Sequence, residues 1–100
     1  MYCHGTPLIV AAQKSQLSAV RRLLRLKPNV NARTSRTGET ALHKAAFEGN
    51  PEVVTALLDA GADPAVTDND DETPLQYAER RDFYDVAGLL EAAAVAKGAT

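Results

Sequence analysis

The chain has little of what covalent staples, membranes or catalysis require. Its 100 residues include one cysteine, one methionine, no tryptophan and five aromatic side chains. A lone Cys3 closes no internal disulfide and fits a reducing compartment. With so few aromatics, the core has to be aliphatic and alanine-rich, drawn from the 45% of residues that are apolar. No stretch approaches the roughly 18 apolar residues of a membrane-spanning helix, and the N-terminus lacks the basic start and longer apolar run of a secretory signal. The expectation is a soluble, cytoplasmic protein with no membrane partner. Cys3 and His4 are neighbours on a chain terminus, where a nucleophile and base are not held in productive geometry. Two histidines and one cysteine at these separations match no common metal site. The acidic run Asp68-Asn69-Asp70-Asp71-Glu72 lacks the central glycine and twelfth-position glutamate of a calcium loop, and reads as a solvated cluster at a loop tip. No catalytic residue, metal or cofactor is expected.

What the chain does have is self-similarity. Thr6-Pro7-Leu8-Ile9-Val10-Ala11-Ala12, Thr40-Ala41-Leu42-His43-Lys44-Ala45-Ala46 and Thr73-Pro74-Leu75-Gln76-Tyr77-Ala78-Glu79 start 34 and then 33 residues apart. Leu23-Leu24, Leu57-Leu58 and Leu90 follow in register. A period of this size marks a unit that cannot bury its apolar face alone and stacks on copies of itself. One domain of three units is expected, spanning approximately 1–34, 35–67 and 68–100.

Local signals give each unit two helices. Thr6 and Thr73 are placed to cap a helix start, each followed by a proline where it costs no helical bond. Asn50-Pro51-Glu52 repeats that logic for a second helix with Val53, Val54, Leu57 and Leu58 on one face. The pattern predicts helices over 7–15, 17–26, 41–48, 51–60, 74–81 and 84–94. Segments 27–38 and 61–72 are polar and too irregular for helix.

The middle unit shows Gly38, Thr40, Leu42-His43, Ala45-Ala46, Gly49, Val53-Val54, Leu57-Leu58 and Gly61-Ala62-Asp63, a pattern that resembles the ankyrin repeat. The resemblance implies an all-α solenoid of stacked helix-turn-helix units joined by hairpin-like loops. It also implies that His43 ties neighbouring loops together, and that the chain is a protein-binding module, an inhibitor or adaptor. The last unit departs from the pattern as a polar terminal cap does, with Glu91 where the others have Leu24 and Leu58. The first departs with Ile9 for histidine, Ser15 for glycine and Lys27-Pro28 for Gly-Ala.

Charge is segregated beneath a net value of -2. Residues 1–38 carry seven basic groups and no acid, whereas the rest carries thirteen acids against four bases. In a solenoid, sequence order becomes spatial order, so the two ends differ in sign. This is either a solvated surface or a handle for orientation. The alternative function it supports is self-assembly, with positive end meeting negative end at low salt; otherwise a monomer is expected. A nucleic-acid partner is not expected, because no aromatics interleave with the arginines.

Carried over from the family position by position, the contact-prone residues of the inner helices and hairpin tips are Tyr2, Cys3, Gln13 and Lys14 in the first unit. They are Arg33, Arg36, Thr37, Glu39, Phe47 and Glu48 in the second, and Asn69, Asp70, Glu72, Arg80 and Arg81 in the third. Phe47, flanked by Arg36 and Arg80, is the expected anchor, with local packing on a hairpin as the other reading of the same residue. Tyr77 is expected to pack at a repeat boundary with its hydroxyl at the surface, with reaching the groove as the other reading of the same residue, and Phe83 and Tyr84 to cover the end of the core.

Overall fold

A computed structural model describes residues 7–98 and shows six α-helices, with no strand among the described residues. They are α1 Pro7–Gln13, α2 Leu17–Leu24, α3 Ala41–Glu48, α4 Pro51–Asp59, α5 Pro74–Arg80 and α6 Tyr84–Gly98. Each odd-numbered helix pairs with the even-numbered helix after it. The pairs then stack in order, α1 on α3 on α5 in an inner row and α2 on α4 on α6 in an outer row. The result measures 37 × 28 × 26 Å.

The caps explain where these helices begin. Thr40 Oγ1 accepts from the His43 amide at 3.2 Å, while His43 Nδ1 accepts from the Thr40 amide at 3.1 Å, a reciprocal capping box. Gln76 plays the histidine's part at α5, its Oε1 accepting from the Thr73 amide at 2.8 Å. Asn50 Oδ1 accepts from the amides of Glu52 and Val53, with Pro51 as the first helical residue. The cap assigned to Thr6 falls outside the described residues.

Helix ends follow from backbone conformation. Ser15, Gly49 and Asp82 all have positive φ, at 55°, 75° and 62°. They occupy one position of the repeat, so α1 stops at Gln13 and not at residue 15. Lys27 and Gly61 share a second left-handed position, at 54° and 100°, and the turn leading into Lys27 ends α2 at Leu24 rather than 26. At Gly49 two constraints coincide, since a Cβ there would lie 2.7 Å from the Phe83 ring. The last helix runs longer than its expected end at 94. Ala94 stands where Lys27 and Gly61 turn the chain, and the alanine-rich run 92–96 continues as helix.

The core lies between the rows. Ile9, Val20, Leu42, Val53, Val54, Leu57, Val86 and Leu90 are almost wholly buried, packed among Ala12, Ala45, Ala46 and Ala78. Small alanines let successive inner helices approach closely. Phe83 packs against this core as expected, whereas Tyr84 stands out into solvent and its hydroxyl donates to Asp82.

Candidate functional site

The connecting segments are hairpins closed by a buried polar side chain. In the first, the Thr34 amide donates to Glu39 O at 2.9 Å, and Thr34 Oγ1 accepts from the Glu39 amide at 3.2 Å. In the second, the Asp68 amide donates to Glu72 O at 2.9 Å, and Asp68 Oδ1 accepts from the amides of Asp70 and Glu72. Asp68 is 5% exposed. The acidic run is therefore not a uniformly solvated cluster; its first member organises the loop and leaves Asp70 and Asp71 at the surface.

The two hairpins are sewn to each other. The Asn69 amide donates to Thr37 O at 2.9 Å, and Asn69 Nδ2 donates to Arg36 O at 3.0 Å. Arg33 donates to Gly38 O at 3.0 Å and to Asn69 Oδ1 at 3.4 Å. His43 joins the inner row to the second hairpin. Its Nδ1 accepts from Thr40, so Nε2 carries the proton and donates to Glu72 O at 2.8 Å. Complete burial holds the imidazole below its ordinary pKa, with the Glu72 carbonyl and the charges of Asp68 and Glu39 pulling the other way.

Between hairpins and inner helices lies a cleft of about 450 Å³. Ten of the expected contact residues line it: Gln13, Phe47 and Arg80 from equivalent helix positions, Glu48 beside them, and Arg36, Thr37, Glu39, Asn69, Asp70 and Glu72 from the hairpins. Four do not. Lys14 lines a different cleft, on the far side of α1. Arg33 straps the hairpins as described. The Arg81 guanidinium lies 4.3 Å from the Phe47 ring centroid and 5.3 Å from that of Phe83. Tyr2, like Cys3, lies outside the described residues.

Three cleft residues are additional to that set: Lys44, Asp68 and Tyr77. Lys44 and Tyr77 are equivalent positions of successive repeats, and each stands three residues, one helical turn, before Phe47 or Arg80. That spacing was readable in the sequence and marks a second row on the same helix face. Both converge on Glu39, which takes Lys44 Nζ at 2.5 Å, the Tyr77 hydroxyl at 2.7 Å and the Thr37 hydroxyl at 3.1 Å. Tyr77 is 6% exposed, and its hydroxyl also donates to Asp68 Oδ2. The hydroxyl thus sits beneath the cleft between two carboxylates and not at the surface.

Burial would raise both carboxylates. Hydrogen bonds outweigh it, from Lys44 and Tyr77 at Glu39 and from Tyr77 and two amides at Asp68, and both are held below their ordinary pKa. Burial and the same two carboxylates push the Tyr77 phenol far up, so it stays a donor.

The cleft floor is therefore fixed and its rim is free. Arg80 pairs with Glu72 at 2.6 Å. Among the described residues none pairs with the side-chain charges of Arg36, Glu48 or Asp70. Phe47, 41% exposed, makes an edge contact with Tyr77 at 6.3 Å between centroids. Arg36 and Arg80 share the cleft with Phe47, but Arg81 is the cation stacked on it. No group of three or more metal-ligating side chains converges among the described residues. None of their helices is long and apolar enough to cross a membrane.

Comparison with known proteins matches residues 8–97 to the family described as ankyrin repeats, in three copies. The chain is 42% identical over 88 residues to the putative E3 ubiquitin-protein ligase XBAT35 of Arabidopsis thaliana, covering 86% of this chain and 19% of the relative. It is 39% identical over 88 residues to the probable E3 ubiquitin-protein ligase XBOS34 of Oryza sativa subsp. japonica, covering 86% and 17%. It is 38% identical over 90 residues to diacylglycerol kinase iota of Homo sapiens, covering 88% and 8%. The chain thus spans less than a quarter of the length of each of these relatives.

Proposed function

The chain belongs to the ankyrin-repeat family, a fold of protein-interaction modules rather than of catalysts, and from that premise we propose that it binds another protein through the inner cleft and hairpin tips. Its three units, approximately 1–34, 35–67 and 68–100, act as one domain. The observation that carries this reading is the cleft itself, which gathers equivalent positions of three inner helices and the tips of two hairpins on one fixed floor.

Phe47 and the Arg81 guanidinium above it supply the aromatic-arginine surface that dominates binding energy once desolvated. Arg36, Glu48 and Asp70 supply charges of both signs with no partner to surrender, so that pairing them with a partner protein breaks no existing bond. A three-unit groove offers about 800 Å² to its partner, enough for a specific complex. Five carboxylates (Glu39, Glu48, Asp68, Asp70, Glu72) against three basic groups (Arg36, Lys44, Arg80) line the cleft, which disfavours a nucleic-acid backbone there. The module acts as a monomer inside the cell, without a cofactor.

The test is a comparison of proteins retained by the immobilised chain and by a variant carrying Phe47→Ala, Arg36→Ala and Arg80→Ala, with helicity and melting midpoint measured on both. A partner held by the native chain and lost by an equally folded variant supports the cleft. Equal retention by both excludes it.

A further inference from the structure

The two hairpins that rim the inner cleft carry opposite charge. The first, residues 27–38, holds Lys27, Arg33 and Arg36 and no acid, whereas the second, residues 61–72, holds five carboxylates and no base. Hydrogen bonds sew them side by side without setting these charges against each other. Asn69 bonds to the backbone oxygens of Thr37 and Arg36, and Arg33 to Gly38 O and the Asn69 side chain. Within the second hairpin Asp68 is buried against Tyr77 and backbone amides, and Glu72 is taken up by Arg80. What is left on the cleft rim is one exposed charge from each hairpin, Arg36 and Asp70, and neither side chain has an ion-paired partner among the described residues. Glu48, the third unpaired charge of the cleft, stands on the wall formed by α3 and does not distinguish one hairpin from the other.

We propose, resting on the cleft reading above, that the partner offers an extended segment matched to this polarity: an apolar side chain on Phe47, an acidic one against Arg36 and a basic one against Asp70. Phe47 supplies the apolar anchor because it is 41% exposed within the cleft even with Arg81 over its ring. Stacked helical units lie about 10 Å apart and an extended chain advances about 3.3 Å per residue, which sets the two charged residues of the segment about two to four positions apart. A segment of uniform charge is disfavoured, since either sign meets its like on one of two adjacent hairpins. A second copy of this chain could match both charges across a two-fold axis, Arg36 to Asp70 and Asp70 to Arg36. Such a contact joins hairpin tips alone and leaves the cleft and Phe47 unfilled, which makes it the poorer occupant.

The probe is a phage-displayed library of random peptides of about 12 residues, each long enough when extended to cross the 37 Å molecule. It is panned on the full chain and counter-selected on the Phe47→Ala chain, with helicity and melting midpoint checked on every variant. Enriched peptides are expected to carry an apolar residue together with an acid and a base about two to four positions apart. Such a peptide, synthesised singly, is expected to bind about 3–10-fold more weakly to Arg36→Asp and to Asp70→Arg. Each loss should be regained by reversing one peptide charge only, the acidic residue for Arg36→Asp and the basic residue for Asp70→Arg, which assigns each charge to its hairpin. The polarity is overturned, and the cleft reading left standing, if peptides that depend on Phe47 are uniformly charged, or if either loss is regained by reversing the wrong residue or by neither. Failure to enrich any peptide that distinguishes the full chain from Phe47→Ala overturns both. Sedimentation of the peptide-free chain at low salt is the remaining check, and a dimer abolished by either charge reversal would put a second copy in the place of the segment.

Discussion

The two ends of the stack occupy equivalent positions and finish in opposite ways. At the C-terminal end, Ala46 of the middle unit becomes Glu79, Leu58 becomes Glu91 and His43 becomes Gln76, and all three replacements are exposed. At the N-terminal end the positions that face outward keep their apolar residues. A repeat position therefore has no fixed polarity of its own. What it tolerates depends on whether a neighbouring unit covers it, which is the one-dimensional logic of a solenoid.

The sharpest way to probe that contrast is to truncate one residue type at equivalent positions. Leu57→Ala empties a site enclosed on both sides and is expected to cost about 3–4 kcal/mol, with Leu90→Ala close behind and Leu23→Ala about 1 kcal/mol, read by urea denaturation. Equal costs at all three positions would mean that stacking does not set their burial.

Tyr77→Phe asks whether the second and third units are held by their polar floor as well as by packing. It leaves Glu39 and Asp68 without their shared donor and is expected to cost about 1–3 kcal/mol at neutral pH. The loss should shrink below about pH 4, where a protonated carboxyl brings its own donor. A loss independent of pH would point to ring packing alone.

His43→Gln places in the middle of the stack the residue that its end already uses. The capping box is retained, as Gln76 shows, while the bond from Nε2 to Glu72 O is lost, at a cost of about 1 kcal/mol. The substitution also removes a titration. Because the folded pKa of His43 lies below the ordinary value of 6.5, the native state binds fewer protons than the unfolded chain, so its contribution is full above that pH and declines as pH falls through it. Glu39 and Asp68, also depressed, lose their contributions only below 4.5 and 3.8. Stability measured against pH should decline from about 6.5 in the native chain and lose that first stage in the variant.

Lys27→Gly gives the first unit the residue that Gly61 supplies at the same left-handed position in the second, and a gain of roughly 0.5–1 kcal/mol is expected. The smallest effect on folding belongs to the double change Glu79→Ala with Glu91→Leu. Both sites are exposed, so monomer stability should move by less than about 0.5 kcal/mol, yet the restored ridge should drive head-to-tail association visible by sedimentation. A variant that stays monomeric would show that these carboxylates are not what seals the end.

Much of the fold was legible because helix starts and apolar periods are local. Asn50-Pro51 and Thr73-Pro74 carry their caps within three residues, and Leu23, Leu57 and Leu90 announce the stacking period. The helix ends were less legible. Ser15 and Asp82 adopt positive φ as readily as Gly49 here, although neither residue type requires it. Ten of the cleft residues follow from repeat position, and Tyr77 lines the cleft as one of its two readings has it, but the burial of its hydroxyl is not legible because its partners lie 38 and 9 residues away in two separate hairpins. Asp68 was obscured in the same way, since an aspartate among acids reads as solvated until the amides it accepts from are seen. Arg81 and Arg80 are adjacent in sequence, and only side-chain paths in space decide which of them meets Phe47.

By itself the sequence determined the period, the pairing of helices, the aliphatic core and the segregation of charge, because each depends on residue type at fixed spacing along one chain. Tertiary structure alone decided how Glu39, Asp68, Tyr77 and Lys44 form one polar floor and which cation covers Phe47. Those outcomes rest on distances between residues tens of positions apart, where burial and hydrogen bonding depend on what the neighbouring unit presents and local propensity carries no information.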